Sequence, residues 1–297
     1  MAHSALPPPR QRSGLRRKCP GRGAHHGRGR AGLPGWPGRP NGARPRARPD
    51  RQGCREAPRL DPARMTLLPA RPGPERARAA AVLALGAAVI AWLTRYNSQP
   101  LSAWSSPAIP AYRSWEEYLT VNCTALMLLP CLLVLGALRE RPCDYGFQPA
   151  TKDAWRLAML FLAAMLPVLL AASRFPVFYN HYPLQSRAGE NAAYFAYFQL
   201  TYGFYFLCWE WFYRGFLTFG LARGFGAAPA IALQAVGFGI MHIGKPLPEV
   251  YGSFVAGAAL GWLALRGRSF FPCFVLHWTC SLLFDVLAIQ ARPGGLW

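Results

Sequence analysis

Seven stretches of the chain are apolar for about as long as a helix needs to cross a membrane. They lie at residues 79–94, 118–138, 155–173, 191–221, 227–243, 250–265 and 270–290. A helix rises ~1.5 Å per residue and the hydrocarbon core of a bilayer is ~30 Å thick, so roughly 20 residues cross it. Backbone in lipid must satisfy its own hydrogen bonds, which excludes irregular structure. The sequence therefore predicts an all-α fold, a polytopic membrane helix bundle of about seven to eight spans.

The first 64 residues differ from the rest in composition. They contain 15 Arg and one Lys against three acidic residues, together with many Pro and Gly. Such a segment buries too little apolar surface to offset its chain entropy, so we expect a disordered extension at residues 1–64. The net charge of +20 could indicate a nucleic-acid binder. Aromatic residues that stack on bases are not interleaved with these arginines, so we expect no nucleic-acid partner.

The charged residues between the apolar stretches predict an orientation. With the N-terminus inside, eleven Arg and Lys residues lie on the inner side, among them Arg139, Arg156 and Arg266, and six lie on the outer side. Because Arg and Lys are enriched in cytoplasmic loops, this orientation is favoured. We expect a multi-pass integral protein of the bacterial plasma membrane, with the lipid bilayer as one of its partners.

Ionisable residues occur inside the predicted spans. Glu210 and Arg214 are four residues apart, so they can pair along one face of a helix. His277, Ser281 and Asp285 are also spaced by four and share one stripe of the last span. An ionisable group in lipid costs several kcal/mol unless it is paired or hydrated. Each of these residues is therefore a candidate for function.

These candidates, together with His242, lie at comparable depths. Residues 222–226 and 266–269 share one side of the membrane, so depth can be counted from them at ~1.5 Å per residue. By this count Glu210 and Ser281 lie roughly 18 Å deep, His242 and Asp285 roughly 24 Å, and His277 roughly 12 Å. The predicted helices thus bring two imidazoles, a hydroxyl and two carboxylates into overlapping depth. Such a cluster can polarise a water molecule and stabilise an oxyanion.

Three motifs in these spans resemble the signatures of a known family. The segments WEWFYR (209–214), FGIMH (238–242) and HWTCS (277–281) are similar to the patterns EExxxR, FxxxH and HxxxN or HxxxD. These patterns characterise the CPBP (CAAX protease and bacteriocin-processing, also called Abi) intramembrane proteases, which include the CAAX prenyl proteases. Each motif is short, but their order and their places in successive spans make the set specific. The resemblance covers roughly residues 118–290.

The resemblance implies an endopeptidase that hydrolyses a peptide bond within the bilayer. Glu210 together with His242 would activate water, His277 together with Ser281 would hold the oxyanion, and Arg214 would orient Glu210. The substrate would be a membrane-associated peptide or protein. The resemblance also divides the chain into the extension at 1–64, a first span and loop at 65–117, the protease core at 118–290 and a C-terminal tail at 291–297.

Two positions depart from the family pattern. Trp209 stands where the first Glu of the motif belongs, and Ser281 stands where Asn is usual. Because the first Glu is the favoured water-activating base of the family, we take Glu249 and Asp285 as secondary candidates for that role. The alternative is a catalytically inactive member that acts in bacteriocin immunity or scaffolding.

A second alternative is zinc-dependent hydrolysis. His242, His277 and a carboxylate would match a common catalytic ligand set. The sequence has no HExxH motif, and the ligands would come from separate helices. We therefore favour a glutamate-type mechanism without a cofactor over a zinc site.

Overall fold

The computed structural model of the chain describes residues 73–98 and 114–293. The extension predicted at residues 1–64 lies outside this part, as do portions of 65–117 and of the tail at 291–297. Within the described residues the protein is helical and contains no β-strand. The predicted all-α fold is therefore confirmed.

The described part consists of eight helices. They are α1 (Pro74–Asn97), α2 (Trp115–Ala137), α3 (Lys152–Ala172), the short α4 (Pro176–Tyr179), α5 (192–225), α6 (Ala227–Ile240), α7 (Leu247–Gly267) and α8 (Phe271–Ala291). Helix α5 is continuous but includes a π-helical segment, Trp211–Leu217. Each of the seven predicted apolar stretches coincides with one of the seven long helices.

The long helices differ in how well they suit a bilayer. By length and apolar composition, α1, α2, α3 and α8 can each cross a membrane. Helix α6 is apolar but has only 14 residues, which corresponds to about 21 Å and is shorter than the ~30 Å hydrocarbon core. The predicted seven to eight spans thus correspond to seven long helices. Four of these are both long enough and apolar enough to cross a membrane.

Local capping interactions fix several helix ends. Ser114, Thr151 and Asn191 each precede a helix, and their side chains accept a hydrogen bond from the backbone N–H three residues on. Such caps satisfy donors that have no partner within the helix. Helix α5 ends at Gly226, whose φ of 91° is readily adopted only by glycine. These signals are local, so the sequence alone determines them.

The connections between helices gather at two opposite ends. At one end, which we call the Glu140 end, Arg223 donates a hydrogen bond to Glu140 at 2.8 Å and the Gln148 amide donates to the carbonyl of Arg268 at 2.8 Å. At the other, the Lys245 end, the Arg292 guanidinium donates to the backbone carbonyls of residues 179 and 182 at 2.7 and 2.6 Å. The long helices thus alternate in direction between the two ends, as the predicted topology requires.

Helices α6 and α7 pack closely because α7 presents glycine to α6. A Cβ at Gly257 would lie 3.0 Å from the Cα of Ala235. The Gln234 amide, which is fully buried, donates to the carbonyl of Gly257 at 2.7 Å. Small residues permit such close approach between membrane helices. This contact positions the turn between α6 and α7, which carries His242.

Candidate active site

Glu210 and Arg214 lie where α5 passes into its π-helical segment. Both side chains are 0% exposed, and Arg214 Nε lies 3.3 Å from Glu210 Oε2. The Arg214 guanidinium also lies 4.0 Å from the ring centroid of Phe238 on α6. The contact expected from the i,i+4 spacing is therefore present. A buried pair of this kind holds a carboxylate in surroundings that would otherwise exclude it.

His277 on α8 contacts the other oxygen of the same carboxylate. Its Nδ1 lies 2.6 Å from Glu210 Oε1, which is short for a hydrogen bond between an imidazole and a carboxylate. The His277 side chain is 21% exposed, whereas that of Glu210 is 0% exposed. The three residues thus form a series in which Arg214 lies behind Glu210 and Glu210 lies behind His277. His277 is the member of the series that reaches accessible space.

His242 lies in the turn that follows α6 and is nearly buried. Its Nδ1 is 2.8 Å from the carbonyl oxygen of Phe238. The Phe238 ring lies 4.5 Å from the His242 ring and 5.7 Å from the His277 ring, measured between centroids. Phe238 therefore connects the two imidazoles as well as supporting Arg214. Phe238 is the first residue of the FGIMH motif, and this motif position is the signal for its role in the sequence.

Trp209 occupies the position of the first motif Glu. It is 5% exposed, and its ring centroid lies 5.9 Å from that of His242 at an interplanar angle of 78°. The ring also packs against Tyr213 at 5.1 Å. Next to Glu210 the site therefore contains an indole in place of a second carboxylate.

Ser281 and Asp285 lie farther along α8, toward the Lys245 end. The Ser281 hydroxyl interacts with the hydroxyl of Tyr202. Asp285 is fully buried and accepts a hydrogen bond from the Gln199 amide at 2.7 Å. Gln199 precedes Glu210 by eleven residues on α5, or about 16 Å along a helix. The structure therefore places Asp285 at a different level from Glu210.

Glu249 lies in the first turn of α7, at the Lys245 end. The Tyr182 hydroxyl lies 2.6 and 2.7 Å from its two carboxylate oxygens, and Lys245 Nζ donates to it at 2.8 Å. Burial and the neighbouring Glu249 carboxylate hold the pKa of the Tyr182 phenol well above its usual value, so Tyr182 remains a donor. Glu249 is thus engaged by residues outside the Glu210 site. Tyr182 gave no signal in the sequence, because it lies in a loop without a motif.

The zinc alternative requires three suitable side chains to converge. Within residues 73–98 and 114–293, no group of three His, Cys, Asp or Glu side chains is arranged to hold a metal ion. Glu210 and His277 contact each other, while His242 bonds to a backbone carbonyl through Nδ1. The predicted ligands therefore do not fit a preformed zinc site.

Comparison with known proteins supports the motif assignment. Residues 191–283 match the family model described as type II CAAX prenyl endopeptidase, Rce1-like. Neither a curated protein nor a solved structure matches the chain. The matched segment includes all three motifs, together with Glu210, His242 and His277. Over residues 191–283 the chain is therefore similar to the type II CAAX prenyl endopeptidase family, in agreement with the resemblance of the three motifs.

Proposed function

We propose that the chain is an intramembrane endopeptidase of the CAAX-protease type that hydrolyses a peptide bond in a membrane-associated peptide or protein. The observation that carries this proposal is the series Arg214–Glu210–His277, in which Glu210 Oε1 lies 2.6 Å from His277 Nδ1. A carboxylate that orients an imidazole is a recurrent arrangement for general base catalysis. The match of residues 191–283 to the Rce1-like family model supports the choice of peptide hydrolysis.

In this proposal His277 takes the proton from the attacking water. Its Nδ1–H donates to Glu210, so Nε2 is free to accept that proton, and the carboxylate stabilises the imidazolium that forms. Arg214 contacts the other carboxylate oxygen and holds Glu210 in position. These roles differ from the sequence-based assignment, in which Glu210 was the base. The reason is accessibility, since the Glu210 side chain is 0% exposed and that of His277 is 21% exposed.

His242 would orient the same water. The carbonyl of Phe238 can only accept a hydrogen bond, so the proton of neutral His242 belongs on Nδ1. Its Nε2 is then a second acceptor for a proton of the water, and a lone pair of the water oxygen is directed at the peptide carbonyl carbon. The oxyanion role of Ser281 stays a prediction and is tested by Ser281→Ala.

A second candidate function is an inactive family member that binds a membrane peptide without cleaving it, in bacteriocin immunity or scaffolding. The observation that favours it is Trp209, an indole packed against His242 where the family has a carboxylate. Under this alternative, Glu210, Arg214 and His277 would serve only to hold α5 against α8.

Proteomics of peptide termini in membranes separates the two functions. Cells that produce the wild type are compared with cells that produce Glu210→Ala, His277→Ala or the matched control Glu117→Ala, which removes an exposed carboxylate on α2. The proposal expects new termini in the wild type and the control that are lost in the other two variants. Identical termini in all four samples would support the inactive alternative. A parallel sample with a zinc chelator should keep the cleavage, and loss of cleavage there would favour a metal mechanism.

We expect the enzyme to act in the plasma membrane of a bacterium, and the same experiment tests this when the plasma membrane is fractionated from other membranes. The new peptide termini then identify the substrate, so no assumption about its prenylation is needed.

A further inference from the structure

A row of buried polar atoms lies between α5 and α8. Within the described part of the protein, Gln199 Oε1, Asp285 Oδ1 and Trp278 Nε1 are buried and have no hydrogen-bond partner. An unpaired buried polar group costs about 1–3 kcal/mol. Native proteins pair such groups with protein atoms or with ordered water. These three atoms on facing sides of one helix pair therefore need a physical explanation.

Polar residues of the two antiparallel helices pair at three levels, and the Phe206 ring packs between the second and the third, 4.6 Å from the rings of both Tyr202 and His277. Nearest the Lys245 end, Gln199 donates to Asp285 at 2.7 Å. At the next level Tyr202 interacts with Ser281. At the last level Glu210 lies 2.6 Å from His277. We call these three pairs the polar ladder, and its length along α5 is about 16 Å.

The outer level of the ladder lies close to groups that reach solvent. Asp285 is within electrostatic range of Lys245 and Glu249, and the side chains of these two residues are 26% and 24% exposed. The ladder thus begins near the partly exposed side chains of Lys245 and Glu249 and ends at His277.

We propose that ordered water molecules occupy the polar ladder and that hydrolytic water reaches His277 along it from the Lys245 end. Each level provides donors and acceptors, and a buried water needs two to four polar partners. Such a path would supply water to His277 from inside the helix bundle when a bound substrate covers the exposed part of its side chain. The catalytic role of this water rests on the proposed function, whereas the presence of the water does not.

Radiolytic hydroxyl footprinting of the full-length protein in lipid nanodiscs tests the presence of water. X-ray pulses convert water near a side chain into hydroxyl radicals, which oxidise that side chain. Tyr202 and Tyr213 make a matched pair, because both are buried tyrosines on α5 and only Tyr202 belongs to the ladder. We expect Tyr202 to be oxidised several-fold faster than Tyr213. Equally slow oxidation of the two would overturn the proposal.

Two variants test the role of the ladder. Gln199→Met combined with Asp285→Leu replaces the outer level by apolar side chains of similar size. The rate of Tyr202 oxidation should then fall to that of Tyr213. The kcat of peptide cleavage should fall several-fold, and KM should be unchanged. The single variant Asp285→Asn keeps a polar side chain at this level, so Tyr202 oxidation and kcat should stay close to their wild-type values. Unchanged Tyr202 oxidation in the double variant would contradict the path, and if that variant does not fold, the wild-type comparison still decides.

The two proposals fail in different ways. Fast oxidation of Tyr202 in a wild-type protein that cleaves no peptide would reject the proposed function and retain the internal water. Cleavage by a protein whose Tyr202 is as slowly oxidised as Tyr213 would reject the path and retain the protease.

Discussion

Replacing Arg214 by methionine isolates the contribution of the buried ion pair. Methionine keeps most of the apolar stem but removes the charge that faces Glu210 Oε2 at 3.3 Å. Removing one partner of a fully buried pair costs about 3–5 kcal/mol, and the guanidinium–Phe238 contact at 4.0 Å contributes about 1–2 kcal/mol more when desolvated. His277 still binds Glu210 Oε1, which retains part of the stabilisation. We therefore expect a loss of about 3 kcal/mol, or roughly 100-fold in the unfolding equilibrium.

The assay is equilibrium unfolding in detergent micelles, followed by tryptophan fluorescence. Arg156→Met is the matched control, because Arg156 forms an exposed pair with Asp153 at 3.3 Å, and such pairs contribute little. The double variant Arg214→Met with Glu210→Gln should be more stable than the sum of the single effects, since it leaves no unpaired charge. Equal stability of Arg214→Met and Arg156→Met, or strict additivity in the double variant, would refute the argument that the buried charges depend on each other.

Three other changes have defined outcomes. Trp209→Glu should raise peptide cleavage if the wild type lacks a base, and should leave cleavage unchanged or reduce it if His277 is already the base, as measured on the substrate found by proteomics. Tyr182→Phe should lower unfolding stability by about 1–3 kcal/mol, because it removes a buried donor to Glu249, whereas Tyr197→Phe, at an exposed site, should have little effect. Deletion of residues 1–64 should preserve membrane insertion, which alkaline extraction measures, and loss of insertion would show that the extension contributes to the fold.

The fold could be predicted largely from apolar length. Each predicted stretch became a helix, because backbone hydrogen bonding in lipid allows few alternatives. The prediction was less accurate where a turn interrupts apolar sequence. The fifth stretch was predicted to continue to residue 243, but α6 ends at Ile240, since Gly244 adopts a φ of 102° and Pro246 follows.

The candidate site was predictable to the extent that it depends on local spacing and helix depth. The Glu210–Arg214 contact follows from i,i+4 geometry, whereas the depth count placed Ser281 at the level of Glu210, and in the structure His277 lies there instead. The partners of Asp285 and Glu249 were not predictable, because Gln199 and Tyr182 reach them only through the packing of α5 and of the loop before it. No local pattern encodes such contacts.

The central claim is that Glu210 and His277 act as one unit, and a double-variant rate measurement tests it most directly. Cleavage rates are compared for Glu210→Gln, His277→Ala and the combination of both, on a peptide identified by terminal proteomics. Residues that act together in catalysis are strongly non-additive, so the account predicts that both single variants fall to one low rate and that the double variant falls no further. Full activity of Glu210→Gln, or a double variant slowed by the product of the two single effects, would contradict the account.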